Sequence, residues 1–106
     1  MLFRSFLHNF RPGVPARLGV DHDTLAAINP DLVYLYAAAY GSTGPYARQP
    51  AIDHVIAAFS GTTAHQTATG NDPLKEQGAD PVASLGVGAA LMLGLAARDQ
   101  IGRAHV

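Results

Sequence analysis

The chain has 106 residues, 48% of them apolar, and a formal charge of −1 from seven Lys and Arg against eight Asp and Glu. That length allows one domain at most, and that apolar content excludes a disordered tail. The charge balance leaves no basic face for nucleic acid, and the absence of Cys excludes a disulfide framework or a thiolate metal site. Met1 to Leu7 carries one Arg and too short an apolar stretch for a signal peptide. Asn9-Phe10-Arg11-Pro12-Gly13-Val14-Pro15 is dense in turn formers. Asp23 can cap a short helix over residues 24–28, which Asn29-Pro30 ends, because the residue before Pro avoids the helical region. Residues 32–38 are aromatic and β-branched enough for a buried strand, and Gly41 to Pro45 forms the loop after it. Ile52, Val55, Ile56 and Phe59 recur at helical spacing, which predicts a helix over 52–60. Residues 61–79 are polar and contain glycine, and read as one long loop. Helix, strand, helix and a last helix make one slice of an α/β fold.

The last helix is the most informative segment. Asp80-Pro81 opens an uncharged apolar run from Val82 to Ala97, which Arg98-Asp99 closes. Pro81 suits the first helical position, with Asp80 as its N-cap. A lone carboxylate at the mouth of an apolar helix is either that cap or a reactive group. The run from Pro81 to Ala97 is also the one membrane candidate, but it stands at the lower length limit for a span and holds Gly86, Gly88 and Gly94. A buried helix that is apolar all round is the expectation, with no membrane partner.

Both ends are expected to be non-native. Leu2-Phe3-Arg4-Ser5 and residues 101–106 can each be encoded by DNA resembling a common short-read sequencing adapter. The expected unit is therefore 6–100, an internal piece of a longer protein, with 1–5 and 101–106 as terminal scars. Different codons in the source DNA at both ends would overturn this.

Four segments form an ordered series: Asn9-Phe10-Arg11-Pro12-Gly13, Arg17-Leu18-Gly19, Ile28-Asn29-Pro30-Asp31-Leu32-Val33-Tyr34 and Tyr40-Gly41-Ser42-Thr43-Gly44-Pro45-Tyr46. Asp53, Ser60-Gly61, Ala79-Asp80-Pro81 and Ala97-Arg98-Asp99-Gln100 continue it. The series closely resembles the class III CoA-transferases, the CaiB/BaiF type, from about Asn9 to Gln100. The resemblance implies an α/β nucleotide-binding-like large domain, of which this is a piece, in an interlocked homodimer. It implies transfer of CoA between an acyl-CoA and a carboxylic acid, with coenzyme A as substrate and no tightly bound cofactor or metal. It puts the catalytic carboxylate on Asp80, and CoA contacts on Asn9, Phe10, Arg11 and Arg17 and on Pro50, Ala51, Ile52, Asp53 and His54.

The residue types suit that chemistry. A carboxylate can attack a thioester carbonyl, and a helix N-terminus favours its anion. Arg11 and Arg17 can pair with phosphate oxygens through the guanidinium fork. Gly13, Gly41 and Gly44 can let backbone approach a ligand, or simply form turns. The histidines, His8, His22, His54, His65 and His105, form no i, i+4 metal pair, and His54 alone is of interest, for CoA contact.

Three departures bear on the reading. Ser84 stands where the family often has Gly, and the family's early βα unit is missing. The family's racemase branch has a His immediately before the Asp that matches Asp53, and here Ile52 stands there. A racemase needs a base on each face of the α-carbon, so Ile52 argues for a transferase. A non-catalytic CoA-binding or dimer-stabilising module is the alternative from another class. The 106 residues alone are expected to be inactive and prone to aggregate through the uncovered last helix.

Overall fold

The computed structural model describes residues 3–73 and 78–104. Residues 74–77 of the expected loop and residues 1, 2, 105 and 106 of the expected scars lie outside the described residues. The elements are β1 (Ser5–His8), α1 (Val14–Leu18), α2 (His22–Ile28), β2 (Val33–Tyr36), α3 (Asp53–Phe59), α4 (Thr62–Thr67) and α5 (Ala79–Ala104). The mixture is α/β, as expected.

β1 and β2 pair in parallel, with Phe6 opposite Tyr34 and His8 opposite Tyr36. Parallel neighbours need a long crossover, which α1 and α2 supply. Side chains alternate across a strand, so Phe6, His8, Tyr34 and Tyr36 share one face. They stack in cross-strand pairs, Phe6 on Tyr34 at 5.4 Å and His8 on Tyr36 at 4.8 Å between ring centroids. The α1–α2 junction meets this face: Tyr34 donates to the Val20 carbonyl at 2.9 Å, and His22 sets its ring edge-on to Tyr34.

α5 takes the other face through Val33. A Cβ built on Gly94 would stand 2.7 Å from Val33 Cγ1, so only glycine lets the helix seat so close to β2. Farther along α5, Arg98 pairs with Asp99 at 3.0 Å and reaches the Arg4 carbonyl at 3.4 Å, tying the helix to the start of β1. α5 also packs on α3, and α3 on α4.

Several expectations are corrected. Asp21, not Asp23, caps α2, accepting from both the N–H and the hydroxyl of Thr24. Those bonds hold the Asp21 carboxyl below the usual carboxylate range. The turn-rich segment contains α1: Gly13 and Gly19 bracket it, and Pro15 sits in its first turn, where a missing N–H costs nothing. The expected loop 61–79 holds α4, bounded by Gly61, and gives Ala79 to α5. The strand expected over 32–38 shortens to Val33–Tyr36.

The last helix was expected to be buried, and it is not. Val82, Leu85, Met92 and Leu93 are all more than half exposed. α5 is long and apolar enough, from Ala79 to Gln100, to cross a membrane by length and composition. Among the described residues only Ala57 and His8 are buried. The surface is 8091 Å², against about 5,700 Å² for a folded monomer of 11.1 kDa. The radius of gyration is 17.6 Å, against about 13 Å for a compact chain of this length. These residues alone close no core.

Candidate functional site

Two segments far apart in sequence meet at the start of α5. Val82 N–H donates to the Gly78 carbonyl at 3.2 Å, which is the first turn's backbone bond. Gly78 is therefore the N-cap, and Ala79, Asp80 and Pro81 are the first three helical residues. Their N–H groups have no partner within the helix. Pro81 has none to satisfy. Those of Ala79 and Asp80 both go to Asp53 Oδ1, at 3.0 and 3.2 Å. Asp53 opens α3 and is half-buried. A carboxylate 26 residues upstream thus caps the helix.

This corrects the expectation that Asp80 is the N-cap. Asp80 lies inside the first turn with its side chain exposed. Its carbonyl accepts the Ser84 hydroxyl at 2.9 Å, so Ser84, where the family often has Gly, bonds back into the helix.

Pro50, Ala51 and Ile52 lead into α3, with Ile52 extended at the N-cap and its side chain exposed. His54 follows Asp53 on α3 and is exposed. The expected contacts of residues 50–54 are therefore joined to Asp80 through Asp53. Asn9, Phe10, Arg11 and Arg17 take no part in those bonds. They follow the C-terminal end of β1, and Arg17 lies in the last turn of α1. Asn9, Phe10, Arg11 and Arg17 are all exposed. The crevice beyond the C-terminal ends of parallel strands is where open α/β sheets bind ligands.

One residue escaped the sequence reading. His8, at the end of β1, is the buried polar side chain among the described residues. Its Nε2 lies 2.8 Å from the Tyr34 oxygen, and its Nδ1 3.2 Å from the Phe10 nitrogen. Burial lowers its pKa, which favours neutral imidazole. No motif marks it: a histidine one residue before Asn-Phe-Arg looks like any other.

The family model for CoA-transferase family III matches residues 5–106. Over 105 residues the chain is 39% identical to an acetyl-CoA:oxalate CoA-transferase from Acetobacter aceti, covering 92% of this chain and 26% of that protein. It is 34% identical over 103 residues to the alpha subunit of a succinyl-CoA–L-malate CoA-transferase from Chloroflexus aurantiacus, covering 94% and 24%. With a succinyl-CoA:glutarate CoA-transferase from Mus musculus it shares 28% over 100 residues, covering 92% and 23%. No solved structure matches. The chain spans about a quarter of the length of these curated relatives. It belongs to CoA-transferase family III.

Proposed function

We propose that the protein containing this chain transfers CoA from an acyl-CoA to a carboxylic acid, with Asp80 as the nucleophile. The carrying observation is the cap on α5. Asp53 satisfies the free N–H groups of Ala79 and Asp80, so the Asp80 carboxylate has no capping role and is exposed at a helix N-terminus.

The proposed chemistry balances without an oxidant or reductant. The Asp80 carboxylate attacks the thioester carbonyl and expels CoA thiolate, leaving a mixed anhydride. The thiolate attacks the aspartyl carbonyl and releases the donor acid, leaving an aspartyl-CoA thioester. The acceptor carboxylate attacks that thioester, forming a second anhydride and freeing the thiolate. Attack of the thiolate on the acyl carbonyl gives the new acyl-CoA and restores Asp80.

In this reading Asn9, Phe10, Arg11 and Arg17 and the segment 50–54 contact CoA, which is a substrate, not a resident cofactor. Relatives named for oxalate, malate and glutarate support small carboxylic acids as the acceptor class. Ile52 offers no second base, which disfavours a racemase. The seating of Gly94 on Val33 supports α5 as an interior helix, not a span. Its exposed apolar residues suit burial by the rest of a longer, homodimeric, cytoplasmic protein.

The test is trapping. The full-length protein is incubated with acyl-CoA and quenched with hydroxylamine, and the modified peptide is mapped by mass spectrometry. A hydroxamate on Asp80 supports the reading. An unmodified Asp80 in protein that exchanges CoA would remove Asp80 as nucleophile.

A further inference from the structure

We propose that His8 is a positioning residue that, with Tyr34, clamps the segment 9–20 at both ends and so sets the CoA-contacting turn. This rests on the reading above that Asn9, Phe10, Arg11 and Arg17 contact CoA.

The hydrogen-bond directions follow from the partners. Val20 offers a carbonyl, so the Tyr34 hydroxyl donates to it, at 2.9 Å. That proton is spent, so at 2.8 Å the Tyr34 oxygen accepts from His8 Nε2–H. His8 Nδ1 then carries no proton and accepts the Phe10 N–H at 3.2 Å. Every position of the imidazole is assigned, in one neutral tautomer.

The bonds close a ring. The Phe10 backbone leads through Arg11, whose carbonyl accepts from Val14 N–H at 3.1 Å, into α1. α1 carries Arg17 and ends where Val20 N–H donates to the Pro15 carbonyl at 2.9 Å. The Val20 carbonyl returns to Tyr34 and His8. One imidazole and one phenol therefore hold the beginning and the end of the segment that bears all four contacts. The rings add to the hold: His8 stacks on Tyr36 at 4.8 Å and on Phe10 at 5.5 Å between centroids.

Protonation undoes the clamp at a defined atom. A proton on Nδ1 faces the Phe10 N–H donor to donor, and the turn loses its bond. The titratable groups around His8 are Tyr34 and Tyr36 on β2, with Asp21 and His22 beyond Tyr34 at the start of α2. Burial, then Asp21, raises the Tyr34 pKa, so the phenol keeps the proton it donates.

The test uses the full-length protein, with binding of CoA itself and KM for acyl-CoA as readouts. His8→Asn places an amide oxygen near Nδ1 and keeps the turn's acceptor. His8→Gln keeps a donor toward Tyr34 and offers nothing at Nδ1. The expected result is a rise in KM and in Kd of about tenfold for His8→Gln, with kcat within about twofold, and values within about threefold of the parent for His8→Asn. KM of the parent should rise as pH falls from 6.5 through the lowered His8 pKa, and that slope should flatten in His8→Asn. Equal behaviour of the two variants, or a parent KM flat with pH, would overturn the proposal. If the parent binds no CoA, the proposed function itself fails. A parent that binds CoA while His8→Gln binds it equally well removes the clamp alone.

Discussion

Asp53 Oδ1 accepts the backbone N–H of Asp80 at 3.2 Å, so one carboxylate holds the helix start on which the other stands. The two acids divide work that a single Asp before a helix would have to combine. Asp53 is bound to α5, and Asp80 is left exposed in the first turn.

This division predicts opposite phenotypes at the two positions. Asp53→Ala leaves two N–H groups of α5 without their acceptor and should cost the full-length protein about 1 kcal/mol, read by urea unfolding. Asp53→Asn keeps an oxygen in place and should recover most of that. Equal stability for Asp53→Ala and the parent would show that the bond contributes nothing.

Asp80→Asn should do the reverse. It removes no cap, so stability should stay within about 0.5 kcal/mol of the parent. If Asp80 is the nucleophile, CoA exchange should fall by about a thousandfold or more, as it does when a covalent nucleophile is removed. Urea unfolding and an exchange assay on the same preparation separate the two. A large loss of stability with modest loss of exchange would return Asp80 to a structural role.

Gly94→Ala sets two known effects against each other. Alanine favours a helix interior over glycine by about 1 kcal/mol. Here the new Cβ would stand 2.7 Å from Val33 Cγ1, and a β-branched side chain in a strand has little freedom to turn away. The clash should win, with a net loss of about 1–3 kcal/mol by thermal or urea unfolding. Val33→Ala in the same chain should restore part of it, because the obstructing methyl is then gone. A stabilising Gly94→Ala would mean that α5 does not seat on β2 as described.

What the sequence made legible follows from which interactions are local. The helix at 52–60 and the last helix announced themselves by apolar spacing and by the Asp-Pro start, and both are present as α3 and α5. α1 was hidden because Pro12, Gly13 and Pro15 read as turn residues, although a first turn tolerates Pro. α4 was hidden because Thr62, Thr63, His65 and Thr67 form no apolar stripe and are weak helix formers. At α2, two acids lie within three residues, and the hydroxyl and N–H of Thr24 chose Asp21. The cap of α5 and the ring through His8, Tyr34 and Val20 join residues distant in sequence, and no local pattern encodes them. The family series singled out Asp53 only as a CoA contact and carried no sign that it grips α5.

His8 predicts a pH dependence of stability with a definite sign. Its folded pKa lies below the ordinary 6.5, because burial disfavours the imidazolium. Between the lowered value and 6.5 the unfolded chain binds more protons than the folded one, so stability rises with pH there. The contribution is fully present above 6.5 and is lost as pH falls through the folded pKa. Urea midpoints of the full-length parent and of His8→Asn across that window check it. The parent's midpoint should fall more steeply toward acid, and parallel curves would show that His8 titrates alike in the folded and unfolded chains.

The 106 residues taken alone should not behave as a folded protein. Hydrophobic stabilisation scales with the apolar area withdrawn from water, and this chain withdraws little. Leu85 and Leu93 on α5 are 77% and 71% exposed, and Phe59 on α3 is 58% exposed. With Ala57 and His8 as the buried residues among those described, the burial falls far short of the ordering entropy of such a chain, about 1–2 kcal/mol per residue for the backbone alone. Exposed apolar surface on this scale drives association, so the isolated chain should aggregate and show neither CoA exchange nor a cooperative melt. Size-exclusion chromatography with thermal unfolding decides it. A soluble, monodisperse product with a single sharp transition would mean that these elements pack more tightly than the exposed faces of α3 and α5 allow.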